Sequence, residues 1–197
     1  MVGAMASRFS CICVLHIKQL TRKLTSRVPH AGRAKSRAPV IKNVSIHMKK
    51  RQRRTIGSLV KVPVDDFFVY AQILQETDMV FFDSKGKDNL CEIDIINLPV
   101  LFRVSANDDA IIDGRWSKVG KTEIPSNFSQ PVPRFIQDAL NPEKYEIYLG
   151  GDIRPASKDE CKNLDRCAVW AVNHIEDRIR DYYNNVPNVW VEQMSFK

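Results

Sequence analysis

A chain of 197 residues holds one domain of ordinary size, or a smaller domain with a tail. Its 30 Lys and Arg against 23 Asp and Glu give a formal charge of +7, yet 15 of the bases and none of the acids precede Asp65, leaving a balance of −8 from there on. A body of that sign repels phosphate backbones, which argues against nucleic-acid binding by the folded part, and no run of about 18 apolar residues exists to span a membrane.

Residues 1–50 form a basic, acid-free leader, expected to be disordered or outside the fold, with a single α+β domain over 51–197. Three readings of the leader stay open. Its Arg-rich, Ser-bearing composition suits an organellar transit peptide. Lys49, Lys50, Arg51, Arg53 and Arg54 suit a nucleic-acid arm. A reading frame extended upstream of a start at Met48 suits the onset of domain-like patterning just afterwards. A secretory signal fits less well, because the apolar stretch CICVLHI carries His16 and Lys18 follows at once. Cys11, Cys13, Cys91, Cys161 and Cys167 are odd in number and share no CxxC spacing, so reduced thiols in a cytoplasmic protein are expected.

From Gly57 the apolar residues follow strand rules. GSLVKVPV alternates Leu59 and Lys61 against Val60 and Val62, and Pro63 suits an edge strand or a strand end. FFVYAQILQ (67–75) and MVFFDS (79–84), separated by a polar turn at Glu76 to Asp78, extend this into an antiparallel meander. SKGKDN is a turn with Gly86 at its tip. CEIDII alternates Glu92 and Asp94 with Ile93 and Ile95 and reads as a strand, and PVLFRVS reads as another, with Pro99 at its start. Loops rich in Gly, Pro, Asn and Asp then surround one short element near Val132 to Leu140. YEIYL (145–149) is a further strand, and GGDIRP breaks the pattern.

The spacing next predicts a helix. Ser157 and Glu160 form a capping box, and Leu164, Cys167, Ala168, Ala171, Val172, Ile175, Ile179 and Tyr182 recur at steps of three and four. Such a stripe must be buried against the preceding sheet. The expected fold is therefore α+β, a curved antiparallel sheet or partial β-barrel closed by a C-terminal amphipathic helix.

Chemistry is sparse. No HxH, HExxH or Cys/His cluster is present, so a histidine-based metal site is hard to build, although Asp65, Asp66, Asp83, Asp108, Asp109 and Asp113 could offer oxygen ligands to a divalent ion. Such Asp residues at turns more often cap backbone amides. No GxSxG elbow and no Gly-rich phosphate cradle appears. On the predicted helix Cys167 and His174 lie seven residues, about 10 Å, apart, too far for direct proton transfer. Arg103 suits a phosphoryl oxygen, and equally one of the acids of ANDD (106–109).

GSLVKVPV, FVYAQIL, VFFD, LPVLFRVSANDDAIIDGRWSKVG and PVPRFIQD together resemble immunity-protein family 26 of bacterial polymorphic toxin systems, a family grouped with the phosphotriesterase HocA. The likeness runs from about Gly57 to Gln137 and continues more weakly to the C-terminus, and its most specific pieces are Phe82 with Asp83, Phe102 with Arg103, and Gly114, Trp116 and Gly120. The resemblance implies that Phe82 and these last three are signatures of fold, Gly114 relieving a tight turn and Trp116 filling the open end of the sheet. Likeness to HocA implies a hydrolase of organophosphate triesters, with Arg103 polarising the phosphoryl oxygen and Asp83 or His174 activating water, directly or through a divalent metal. Likeness to immunity proteins implies a non-enzymatic module whose acidic face meets a basic toxin such as a nuclease, and the −8 balance fits that reading through electrostatic steering. The hydrolase is the leading expectation and the immunity protein the alternative.

Overall fold

In a computed structural model of the chain, residues 51–196 are described; the leader expectation falls outside them. The approach to the first strand is already tied down. The Gln52 side chain donates to the carbonyls of Ile111 and Trp116 and accepts from the Lys118 amide, and Arg54 pairs with Asp108 at 2.6 Å. Arg54 thus belongs to the domain and not to a free basic arm.

Strands β1 (Ser58–Val64), β2 (Phe67–Ile73) and β3 (Asp78–Phe82) form the antiparallel meander that the alternation predicts. A short helix α1 (Glu92–Ile96) precedes β4 (Val100–Ala106), which returns antiparallel to β3. After the one-turn α2 (Asp109–Ile112), β5 (Ser117–Lys121) adds to the far side of β1. The chain then passes through α3 (Ser126–Ser129) into a second sheet made by β6 (Arg134–Gln137), β7 (Tyr145–Leu149) and β8 (Asp152–Ala156). One helical turn, α4 (Lys158–Cys161), is followed by two-residue strands β9 (Asp165–Arg166) and β10 (Val169–Trp170), and then by α5 (Val172–Asn184) and α6 (Val189–Met194).

Six strands run in the order β10-β4-β3-β2-β1-β5, and four in the order β8-β7-β6-β9. The fold is α+β with two open sheets, which corrects the expectation of one curved sheet or partial barrel. β9 pairs parallel to β6 in one sheet and β10 parallel to β4 in the other, with only Cys167 and Ala168 between them. Three residue steps span at most about 11 Å, so the chain itself holds these two sheet edges close together.

Three local expectations are corrected, each for a physical reason. CEIDII is helical: only Ile95 is buried while Ile93 is 58 % exposed, and Glu92 and Asp94 sit in the first turn, where backbone amides favour negative charge. GGDIRP does not end the sheet. Gly150 and Gly151 both take positive φ (58° and 98°), the conformation a tight hairpin between β7 and β8 demands. The long helix does not start at Ser157. Its capping box is present but caps a single turn, because residues 165–170 satisfy open edges of β6 and β4 with backbone pairs that a helix could not supply. Leu164 accordingly packs with the second sheet, Val172, Ile175 and Ile179 lie in the larger core, and Tyr182 is 52 % exposed.

Both faces of the larger sheet are buried, which is why its central strands are apolar almost throughout. Val60, Val62, Val69, Ala71, Met79, Phe81, Phe102 and Val104 face the cluster that includes Ile175 and Ile179 of α5. Leu59, Tyr70, Leu74, Val80 and Phe82 face the other way, against Ile95 of α1. Trp116 is fully buried in the first cluster, edge-on to Phe81 with centroids 5.9 Å apart, and its indole N–H donates to Glu176 Oε1 at 3.0 Å. Gly114 takes a left-handed φ of 78° two residues earlier, and a Cβ on Gly120 would lie 2.6 Å from Glu92 Oε1. Replacing Trp116 with Ala is expected to cost about 3–5 kcal/mol by denaturant unfolding. Glu176→Gln, which keeps an oxygen for the indole, should cost far less.

Candidate functional site

The first residue of β3 is charged and buried. Asp78 is 7 % exposed, and its carboxylate is matched by donors from two other strands. Oδ2 accepts from Arg103 Nε at 3.0 Å and pairs with Arg103 Nη2 at 2.9 Å; Oδ1 accepts from Ser105 Oγ and pairs with Arg134 Nη2, both at 2.8 Å. Its backbone carbonyl accepts from Arg54 Nη2 at 2.9 Å. Arg103 and Ser105 belong to β4 and Arg134 to β6, so one carboxylate joins the two sheets. Charge-assisted bonds of this length offset the cost of withdrawing the ions from water only when most lone pairs are used, as they are here.

Beside this junction lies a cleft of about 90 Å³, several times the space one water needs. Four arginines line it, each from a different element: Arg103 from β4, Arg134 from β6, Arg166 from β9 and Arg178 from α5. Arg178 is held by ring faces, its guanidinium carbon 4.1 Å from the Phe102 centroid and 5.0 Å from that of Trp170. Burial draws its pKa below the usual guanidinium value, with Asp165 opposing. Arg166 lies 4.8 Å over Phe135 and donates through Nη2 to Gln137 Oε1 at 3.1 Å, while its buried Nε has no partner.

The structure gives Asp83, Arg103 and His174 three separate sets of partners. Asp83 follows Phe82 at the end of β3 and accepts the Tyr183 hydroxyl of α5 at 2.7 Å. The Tyr183 oxygen in turn accepts the amides of Ser84 (3.2 Å) and Lys85 (3.3 Å). Arg103 works from the opposite face, since Phe102 and Val104 on either side of it fill the α5 cluster and its own guanidinium meets Asp78. His174 stacks on Trp190 of α6 at 3.5 Å and 14° between planes; burial lowers its pKa, with Asp177 opposing.

The candidate metal carboxylates are also dispersed. Asp65 binds Arg180 at 2.7 and 3.1 Å, Asp108 takes Arg54 in place of Arg103, and Asp113 lies 3.9 Å from Arg115. Among the described residues no group of three or more His, Cys, Asp or Glu could hold a metal ion. No helix among them is long and apolar enough to cross a membrane. Cys167 does not stand on a helix with His174; it links β9 to β10, its amide donating to Phe135 O at 2.7 Å.

Sequence reasoning missed Asp78, Arg134, Arg166 and Arg178. The one available signal was a charged residue among apolar neighbours, which Arg134 shows in PVPRFI at the start of β6.

Asp78→Ala leaves two buried guanidinium groups unmatched and is expected to destabilise by about 3–5 kcal/mol in denaturant titration. Tyr183 provides a pH test. Burial first, then its bond to Asp83, pushes its pKa from 10.0 up to about 12, with the Lys85 and Ser84 amides opposing. A raised folded-state value means that this contribution is fully present below 10.0 and is lost as pH rises toward about 12. Thermal melts across that window should fall more steeply for the parent protein than for Tyr183→Phe; parallel curves would remove Tyr183 as the cause.

A family model described as Immunity protein 26 matches residues 55–146, a little under half of the chain. The span runs from the approach to β1 into β7 and contains Asp78, Arg103 and Arg134, together with Phe82, Asp83, Gly114, Trp116 and Gly120. No curated protein matches the chain, nor does any solved structure.

Proposed function

We propose that this chain is an immunity protein, a non-enzymatic module that neutralises a toxin by binding it. The match to the Immunity protein 26 model carries this reading. Charge supports it: 23 acidic residues against 15 basic ones from Asp65 onward form a body that attracts a basic toxin such as a nuclease and speeds encounter. The carboxylate and arginine inside the matched span that a phosphotriester hydrolase would use, Asp83 and Arg103, are engaged with Tyr183 and Asp78 on opposite faces of one sheet. That arrangement suits a scaffold better than a reaction centre.

The test is neutralisation. The full chain, produced together with the toxin encoded beside its own gene, should restore growth of the host and form a saturable complex. Its association rate should fall as salt rises, because screening weakens steering between opposite charges. Undiminished toxicity with no complex would overturn the proposal. So would turnover of an aryl phosphotriester that disappears in an Asp83→Asn, Arg103→Ala double variant, which would install the hydrolase in its place.

A further inference from the structure

The inter-sheet cleft holds more positive charge than the protein neutralises. Four arginines, Arg103, Arg134, Arg166 and Arg178, line it together with Asp165, and Asp78 stands beside it. Asp78 is shared by Arg103 and Arg134, and Asp165 lines the cleft without an ion pair to Arg178 within 4.0 Å among the described residues. The local excess is two positive charges, inside a body whose net charge is negative.

Partly buried cation is costly unless matched, and Arg166 and Arg178, which make no ion pair within 4.0 Å among the described residues, are held by other means. Arg178 rests on the rings of Phe102 and Trp170, and Arg166 on the ring of Phe135. Ring faces stabilise the charge without occupying the in-plane N–H donors: Arg166 gives Nη2 to Gln137 Oε1, and its Nε is buried without any acceptor. Arginine forks arranged around a small recess are the donor set that recognises phosphoryl oxygens.

We infer that this cleft binds a compact oxyanion of the phosphate class, seated on Arg166 and Arg178 and bordered by Arg103 and Arg134. A phosphate group carries about −1.5 to −2 at neutral pH and offers three or more acceptor oxygens, which matches both the charge excess and the free donors. The small volume admits a single headgroup, and the acidic surroundings disfavour a polyanion. The ligand is either the free ion or the terminal phosphate of a small ester.

Calorimetric titration of the full chain decides this, with inorganic phosphate in one arm and glycerol phosphate in the other, at ionic strength held constant with chloride. Saturable one-to-one binding with Kd at or below about 1 mM is expected in at least one arm. Binding of inorganic phosphate alone identifies the free ion, and tighter binding of glycerol phosphate identifies an ester; both support the site. Arg166→Gln and Arg178→Gln should each weaken binding by about tenfold or more, and Arg154→Gln, on the exposed β8 where it pairs with Glu160, should leave it unchanged. Because Arg178 is packed between rings, Arg166→Gln with an unaltered circular dichroism spectrum serves as the decisive variant. No saturable heat in either arm overturns the inference, as does equal weakening by Arg154→Gln and Arg166→Gln.

Discussion

The placement of the second sheet against the first depends on one buried carboxylate. Asp78 stands at the head of β3 and takes arginines from β4 and β6, along with the Ser105 hydroxyl. Charges withdrawn from water to this degree are stable only as a matched set. The geometry is therefore stringent: β6 must lie where Arg134 reaches Oδ1, and that fixes β7 and β8, which pair outward from it. A hydrophobic interface would tolerate sliding, whereas a carboxylate with specified donors on both oxygens does not.

The same arrangement explains how an acidic body comes to contain a cationic interior. Arg103 and Arg134 consume the carboxylate that is nearest, and the neighbouring Arg166 and Arg178 settle on aromatic rings. Aromatic faces serve as partial counter-charges, so the fold can accommodate guanidinium groups without spending acids on them. The acids remain available for the exterior. The lining of the cleft and the surface around it thus have opposite sign in one domain, and the overall balance of the sequence describes neither.

What could be read from the chain follows the range of the forces involved. Strand alternation is local, so β1 to β4 and β7 emerge directly from the order of residues. CEIDII was too short for its two-residue alternation to be separated from one turn of helix, and the stripe from Leu164 to Tyr182 satisfied helical spacing while its first part was needed at two sheet edges. Those edges are set by strands distant in sequence, and no local pattern announces them. The site is harder still. Arg103 finds its partner 25 residues away, not among the adjacent acids of ANDD, and Arg54 takes Asp108 from a separation of 54 residues. Residue type identified Arg103 as noteworthy; only the packing of β3, β4 and β6 reveals what it does.

The passage from β9 to β10 has a consequence for how the domain comes apart. Two residues carry the backbone from one sheet to the other, and on either side of them the chain is hydrogen-bonded into a different ladder. Neither sheet can peel away without tearing the edge of its neighbour, so the two should melt as a single cooperative unit, with amide exchange in both governed by the same opening event. A gap bounded by such a short tether has little freedom to widen or close. Whatever enters it is selected by the width already present.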